Sequence, residues 1–336
     1  MDPQAGLVWE QQYFGAAIPT WTVEPDVAIL TQISRRALNI AEDEPCTVDF
    51  LDQETLNKVY IIHCADDYSY ILRVSLPVHP RFKTMNEQAT IQYVRHHTDN
   101  PAPQILAYDA SNNNEGGFEW MVMDRMSGGA LQPQFLNASW LKKEVIARNI
   151  IIYYSQVFKK RFNGLGSLFT SEDLQKLATN DIPSTMLLGE GFSTSDLGFC
   201  LSEIVSYPFL NDTHLHADVP CGPFKSSRDW LAARLQLHIW DIDNPRPSEP
   251  NSDSEKEDSE EEDPTSSHAI INSPAAIKAR AQRLIDFCPN SSPTQKNQSS
   301  SSSTTTTSTP TTSSSTPATT SPLSSTGNAS PLSLSG

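Results

Sequence analysis

The sequence predicts an α+β fold in which a small antiparallel sheet precedes a mainly helical region. Residues 58–64 (KVYIIHC) and 68–76 (YSYILRVSL) are rich in β-branched and aromatic side chains and are separated by a short polar turn. This pattern is typical of a β-hairpin. Residues 140–161 instead repeat apolar side chains at helical spacing, which predicts a long helix. The two periodicities together indicate segregated strands and helices.

One helix interrupts the predicted strands. Residues 83–97 place apolar side chains mostly at helical spacing, and Pro101 and Pro103 prevent the helix from continuing. Residues 104–108 form a short extended piece, and residues 118–126 form an apolar strand that ends at Ser-Gly-Gly. The order is therefore two strands, a helix and further strands.

The later part of the chain reads as helices. Residues 226–240 predict a helix with Ser226 or Ser227 available as its N-cap, and Ser273-Pro274 make a good start for a last helix. Residues 170–224, which precede these two helices, permit no assignment. The long helix over residues 140–161 is expected to gather Leu141, Val145, Ala147, Ile151, Ile152, Tyr154 and Val157 on one broad face.

Composition sets the outer boundaries of the folded part. Residues 246–268 contain no apolar residue, and residues 291–336 contain 29 Ser or Thr in 46 positions, so both are predicted to be disordered. The assigned segments are a helical and extended lead-in (1–45), a small lobe (46–130), a partial helical large lobe (131–245), an acidic disordered linker (246–268), a helix (269–290) and a disordered tail (291–336).

The formal net charge of −16 is unevenly distributed, because residues 253–263 carry eight acidic side chains and one lysine. An acidic chain without a basic stripe is repelled by phosphate backbones and by anionic lipid, so we expect neither nucleic acid nor a membrane surface as partner. The chain contains no apolar run long enough to span a bilayer and does not open with a signal peptide. We therefore expect a cytoplasmic protein. Its five cysteines, odd in number and without a CxxC pair, are interpreted as reduced thiols.

Several short sequence segments, in the order in which the family has them, resemble the aminoglycoside phosphotransferase family, particularly its fungal branch, which is related to choline kinases and protein kinases. The resemblance covers roughly residues 10–290 and implies a protein-kinase-like, two-lobed fold: a small antiparallel lobe with one helix, a hinge strand and a mainly helical large lobe. The matching phrases are Asn57-Lys58-Val59-Tyr60, Tyr70-Ile71-Leu72-Arg73-Val74, Asn86-Glu87-Gln88-Ala89-Thr90, Pro101-Ala102-Pro103, Met123-Asp124-Arg125-Met126-Ser127-Gly128, Gly166-Ser167-Leu168-Phe169 and Gly222-Pro223-Phe224 with Asp229-Trp230-Leu231.

The resemblance implies a nucleotide site in the small lobe. It gives Arg73 the role of the strand cation that binds the phosphates of ATP, and Glu87 the role of the helix carboxylate that fixes this cation. Residues 123–126 become the hinge that meets the adenine. The alternative interpretation makes Arg73 an edge-strand surface charge, Glu87 a solvated helix residue and the hinge a buried strand. The residues assigned to nucleotide binding are Lys58, Arg73, Glu87, Met123, Asp124 and Met126.

The sequence departs from the family pattern at two points. Residues 51–56, which precede the segment beginning at Asn57, contain no glycine and two acidic groups, whereas the family loop over the phosphates usually carries glycine. The family catalytic loop, His-x-Asp followed by Asn five residues later, has no counterpart, because the position five beyond Asp218 in His216-Ala217-Asp218 is Pro223. We interpret His214, His216 and Asp218 as polar surface, and we expect no catalytic residue and no magnesium site.

The expected function follows from the family and from these departures. The resemblance implies an ATP-dependent small-molecule kinase, and the missing motifs predict that the chain stops before its catalytic loop and is inactive as given. The alternative is a non-enzymatic, pseudokinase-like module that binds protein partners through its acidic run and tail. The acceptor substrate cannot be assigned, because fold does not determine it.

Overall fold

The structure is a computed structural model in which most residues before position 246 are described. The described residues are 4–10, 17–65, 68–177, 186–187, 198–245 and 273–287. Contacts divide the chain into Met1–Pro289 and Asn290–Gly336, and every described residue belongs to the first unit. The segments predicted to be disordered, 246–268 and 291–336, lie outside the described residues.

A five-stranded antiparallel sheet in the order β3-β4-β5-β7-β6 is the largest sheet of the described residues. The predicted hairpin is confirmed, because β4 and β5 coincide with the two apolar runs to within a residue or two. Sequence analysis did not identify β3, which includes part of the acidic stretch 51–56 and leaves Glu54 in the turn. The strands are β3 (Cys46–Gln53), β4 (Asn57–Cys64), β5 (Ser69–Ser75), β6 (Ile105–Asp109) and β7 (Glu119–Asp124), and a separate two-stranded sheet consists of β1 (Leu7–Glu10) and β2 (Ile18–Trp21).

Helix α1 (Val27–Leu38) covers one face of the central sheet. It begins at Asp26, whose Oδ1 accepts a hydrogen bond from the backbone N–H of Ala28 at 2.8 Å. Leu30 and Ile33 of this helix share a core with side chains from four of the five strands, so the N-terminal lead-in is part of the same packed unit as the sheet. The buried members of this core are Leu30, Ile33, Cys46, Val48, Tyr60, Ile62, Leu72, Val74, Phe118, Trp120 and Val122.

Helix α2 (Phe82–His97) connects β5 to β6, where the sequence predicts a helix over residues 83–97. It contacts β6, β7 and a strand of another sheet, β8 (Ser167–Thr170), so it joins the two parts of the described chain. The residue before it, Arg81, has a φ of 70°, in the region that favours glycine. The entry into α2 is therefore a position where the surrounding structure must hold the backbone in place.

The region that sequence analysis left unassigned contains a small sheet and short helices. Strands β9 (Met186–Leu187) and β10 (Phe199–Ser202) join β8 in an antiparallel sheet of order β8-β10-β9, which packs Phe169, Phe199 and Leu201 toward α2. Helix α7 (Ser227–Asp243) begins after Ser226, the predicted N-cap, and packs against α8 (Pro274–Phe287). The remaining elements are α3 (Leu131–Asn137), α4 (Trp140–Phe158), α5 (Ser171–Lys176), α6 (Tyr207–Leu210) and a 3₁₀ turn (Asp212–His216).

Helix α4 is the predicted long helix, and the apolar residues that the sequence places on its broad face are exposed. None of its residues is buried, and Trp140, Ile151 and Phe158 are 81%, 65% and 74% exposed. The helix is attached to the end of α2 by a polar contact, in which Gln156 and Asp99 exchange hydrogen bonds of 2.7 and 3.0 Å. Within the described residues, no helix has the length and apolarity needed to cross a bilayer.

The exposed side of α4 predicts self-association. Trp140 and Phe158 lie on the same side of the helix, five turns apart, so replacing both with Ser removes much of the apolar surface. We expect the double variant to be more monomeric in light scattering while its Tm changes by no more than about 2 °C, because exposed substitutions cost about 0.5 kcal/mol or less. Lys142→Ser on the same helix is the control and should change neither quantity. A large fall in Tm for the double variant would show that these side chains are packed.

Candidate functional site

A row of three polar side chains crosses the central sheet near the start of α2. Asn57 of β4, Ser75 of β5 and Glu119 of β7 are register partners, so they project from the same face. All three are buried, and Glu119 is only 1% exposed. Burying polar groups costs free energy unless they form hydrogen bonds, so this row requires a polar partner from the element packed over it.

The partner is Lys83 in the first turn of α2, itself 3% exposed. Its Nζ donates hydrogen bonds to Asn57 Oδ1 at 2.8 Å and to Ser75 Oγ at 3.2 Å, and it lies 3.0 Å from Glu87 Oε1 one turn later. Ser75 Oγ donates to Asn57 Oδ1 at 2.9 Å. The three donors of the ammonium therefore have three acceptors, which makes a buried charge tolerable.

The predicted pair of Arg73 and Glu87 is present beside this cluster. Arg73 Nη1 lies 3.8 Å from Glu87 Oε2, and Nη2 donates to Glu54 Oε2 at 3.0 Å. Glu54 stands in the β3–β4 turn and also accepts a hydrogen bond from Asn57 Nδ2 at 2.9 Å. The alternative interpretation of Arg73 as an edge-strand charge is wrong, because β5 lies between β4 and β7. Arg73 is thus held between two carboxylates.

Glu119 lies at the end of the row where the chain enters α2. Its Oε1 accepts a hydrogen bond from the backbone N–H of Arg81, the residue with positive φ. Burial raises the pKa of Glu119 from 4.5 to about 7, although the Arg81 N–H and the Lys83 ammonium act in the opposite direction. The carboxylate therefore holds the strained residue at the start of the helix.

A small cavity opens on the helix side of the cluster. It has a volume of about 130 Å³, and its wall includes Lys83, Asn86 and Glu87 of α2, Leu56 of the β3–β4 turn and Tyr207 of α6. Typical sites for whole small molecules occupy about 300–1,000 Å³. This space is therefore too small for a complete nucleotide.

Lys58, a predicted site residue, does not belong to this cluster. It is the register partner of Val74, whereas Arg73 is the partner of Val59, so the two cations project from opposite faces of the sheet. The ammonium of Lys58 is buried, forms an ion pair with Glu24 and lies 5.0 Å from the ring centre of Trp21. These contacts make Lys58 a link between the sheet and the N-terminal segment.

The predicted hinge residues lie at the end of β7, away from the polar row. Met123 is buried and pairs with Ile71 and Ile105. The backbone N–H of Asp124 donates to Gln104 O at 2.9 Å, so this donor is already used. Met126 follows the strand and is exposed. Of these three residues, Met126 is therefore the most accessible to a ligand.

Sequence analysis missed Lys83, Asn57, Ser75 and Glu119 as members of the cluster. Two signals were available: Lys83 and Glu87 have the i, i+4 spacing of a helical ion pair, and each of the three polar strand residues stands at a strand end. Neither signal indicates which of these polar residues lie side by side on the same face of the sheet. That information comes from the strand register, which the turn lengths and the packing determine.

The interpretation of His214 as a surface residue is wrong. Although it was expected on the polar surface, its side chain is buried, with Nδ1 2.8 Å from Pro208 O and Nε2 2.6 Å from Asp241 Oδ1. It therefore ties α6 to α7. In the part of the chain that the structure describes, no group of three or more His, Cys, Asp or Glu side chains is arranged to hold a metal ion.

The comparisons with known proteins give a distant similarity. Two subtelomeric hrmA-associated cluster proteins from two strains of Aspergillus fumigatus are each 28% identical to this chain over 120 residues. The matched stretch is 35% of this chain and 24% of each relative, so the chain spans about a quarter of the length of the curated relatives it matches. No family model matches the chain. No solved structure matches it either.

The first prediction from the site concerns Lys83. Lys83→Met keeps the length of the side chain but leaves Asn57, Ser75 and Glu87 without their buried donor, and we expect a loss of about 3–5 kcal/mol in the free energy of unfolding. Urea denaturation measures this loss. Lys142→Met, on the exposed surface of α4, is the matched control and should change stability by about 0.5 kcal/mol or less. Similar stability of the two variants would contradict the role given to the ammonium.

A second prediction concerns pH and Glu119. An acid whose pKa is higher in the folded state binds its proton more tightly there, so folding loses stability as pH rises from about 4.5 to about 7. Glu119→Gln is uncharged and retains an acceptor for Arg81. We expect the variant to gain roughly 3 kcal/mol relative to the natural protein across this range, because a shift of one unit corresponds to about 1.4 kcal/mol. Urea midpoints at intervals from pH 4.5 to 8 measure the difference, and a constant difference would contradict it.

Proposed function

We propose that the central sheet and α2 form the small lobe of a protein-kinase-like fold, and that Arg73 binds the phosphate groups of a nucleotide such as ATP. The observation that carries the proposal is the pair of Arg73 and Glu87. Arg73 lies on the third strand of the sheet, and Glu87 lies on the helix that follows that strand. A cation on the third strand paired with a carboxylate on the following helix is the arrangement by which protein kinases position the phosphates.

The architecture supports the same interpretation at a coarser level. Strands β3, β4 and β5 form an antiparallel meander, α2 follows, and β6 and β7 complete the sheet. The chain then continues into helices α3 and α4 after the exposed Met126. This is the order that the resemblance to the aminoglycoside phosphotransferase family implies for a small lobe, a hinge and a large lobe.

Electrostatics limits how tightly a nucleotide can bind. Arg73 and Lys83 carry two positive charges, while Glu54 and Glu87 carry two negative charges within 4 Å of them. A phosphate group therefore gains a free cation only when Glu54 moves away from Arg73. Glu54 is about half exposed and stands in a turn, so this movement requires no change in the core. We propose weak binding that Glu54 opposes.

The proposed function is nucleotide binding without phosphoryl transfer by these 336 residues. Transfer requires an aspartate that accepts the proton of the acceptor hydroxyl and a pair of side chains that hold magnesium. The sequence contains no His-x-Asp motif with Asn five residues after the aspartate. Binding in the small lobe does not depend on that motif.

A second candidate function is favoured by the exposed side of α4. Apolar patches above a few hundred Å² on a soluble protein usually mark an interaction site. With Trp140, Ile151 and Phe158 all more than half exposed, α4 offers such a surface to a protein partner. This supports the alternative of a pseudokinase-like interaction module, which is compatible with nucleotide binding at Arg73.

Isothermal titration calorimetry with Mg-ATP tests the first proposal. We expect weak binding to the natural protein, at least tenfold weaker binding to Arg73→Ala, and several-fold tighter binding to Glu54→Gln, because charged hydrogen bonds contribute about 1.5–3 kcal/mol. Arg148→Ala is the matched control, since Arg148 lies on α4, outside the predicted nucleotide site, and its exposed side chain pairs only with Glu144 of the same helix among the contacts described.

The outcomes separate the parts of this proposal. Equal affinities for the natural protein and Arg73→Ala would exclude Arg73 as the phosphate ligand. An unchanged affinity in Glu54→Gln would show that Glu54 does not compete with the nucleotide. Thermal melts of each variant should accompany the titrations, because Arg73 also contributes to the buried cluster.

A further inference from the structure

Two cysteines face each other across the first hairpin of the central sheet. Cys46 begins β3 and Cys64 ends β4, and they are register partners in the antiparallel ladder. Both are free thiols in the structure. We propose that Cys46 and Cys64 are a cross-strand dithiol that oxidation converts into a disulfide, closing the open end of the β3–β4 hairpin.

The backbone pattern gives the pair a favourable geometry. The N–H of Cys64 donates to Tyr68 O at 2.9 Å, on the side of β5. In an antiparallel strand the N–H and C=O of one residue point to the same side, so Cys64 makes no ladder hydrogen bond with β3. Such non-hydrogen-bonded pairs have Cα atoms about 4.5 Å apart and side chains close together. This separation lies within the range of about 4.4–6.8 Å found for disulfides.

The surroundings give the two thiols different accessibility and a shared cation. Cys46 is buried in the core beneath α1, whereas Cys64 is half-buried at its edge. Burial raises the pKa of both thiols, and the guanidinium of Arg35, held by Ala41 O at 2.6 Å and Glu44 O at 2.9 Å, offsets only part of this rise. The reaction should therefore be slow and should begin at Cys64, the more accessible thiol.

The oxidation balances with a disulfide reagent such as glutathione disulfide. The thiolate of Cys64 attacks one sulfur of the reagent, forms a mixed disulfide and releases one glutathione thiolate. The thiolate of Cys46 then attacks the Cys64 sulfur, the new bond forms, and the second glutathione leaves. Two protein thiols are oxidised, the reagent is reduced to two glutathione molecules, and the two thiol protons pass to those products.

The remaining described cysteines are not placed to compete. Cys200 packs with Phe169 and Leu174, and Cys221 packs against the cluster that contains Phe209 and Phe224. Cys221 is also half-buried, so it is a suitable control for accessibility without a facing thiol. Its buried environment raises its pKa to about 11. This inference does not depend on nucleotide binding.

Trypsin makes the test direct, because cleavage after Lys58 separates the two cysteines into the peptides 37–58 and 59–73. The reduced full chain is incubated with glutathione disulfide, quenched with N-ethylmaleimide, digested and analysed by mass spectrometry. We expect these two peptides joined, with a mass 2 Da below their sum. The join should persist in Cys221→Ser and disappear in Cys64→Ser and Cys46→Ser.

Stability provides an independent readout, because the bond closes a loop that contains 17 residues. We expect the oxidised natural protein and oxidised Cys221→Ser to melt about 5–10 °C higher than their reduced forms, reversibly with dithiothreitol, and Cys64→Ser to show no such shift. The proposal is overturned if the two peptides remain separately alkylated, if Cys64 carries glutathione without closure, or if the shift persists in Cys64→Ser.

Discussion

The buried ammonium of Lys83 holds helix α2 against β4 and β5 of the central sheet, and the order of the surrounding structure depends on it. Its bonds to Asn57 and Ser75 fix the start of α2 over the strand ends. Its contact with Glu87 orients that carboxylate toward Arg73. Glu119, in the same row, then holds Arg81 in the backbone conformation from which the helix begins. The buried polar row is tolerated because this one side chain donates the hydrogen bonds that apolar packing could not supply.

Charge balance determines what the cluster can do. Arg73 and Lys83 are matched by the carboxylates of Glu54 and Glu87, so the cluster stabilises the junction of sheet and helix before it attracts any ligand. Burial makes each of these pairs costly to break, since an unpaired buried charge loses its hydration without compensation. Glu54 differs from the others, because it is exposed and stands in a turn. The ion pair that a ligand would have to break first is therefore the exposed pair of Glu54 with Arg73.

Local sequence signals predicted the helices and strands better than they predicted what surrounds each side chain. The apolar runs at β4 and β5 and the proline stop after α2 gave correct elements, because backbone preferences act over a few residues. The pairing of Arg73 with Glu87 came from resemblance and agrees with the geometry. The face of the sheet on which Lys58 lies was beyond the reach of these local signals. Which face of a strand meets a cavity, and whether a helix finds a partner, depend on contacts between residues far apart in sequence.

The register of β4 against β5 also determines which face of the sheet each of two cations occupies. Lys58 and Arg73 stand one position out of step in the ladder, so one cation serves the N-terminal segment and the other serves α2. Adding or deleting a single residue between these strands would shift one strand by one position against the other, turn the side chains of that strand to the opposite face and bring both cations to the same face of the sheet. In the turn that joins β4 and β5, a change in the number of residues would therefore alter both faces of the sheet more than a substitution would.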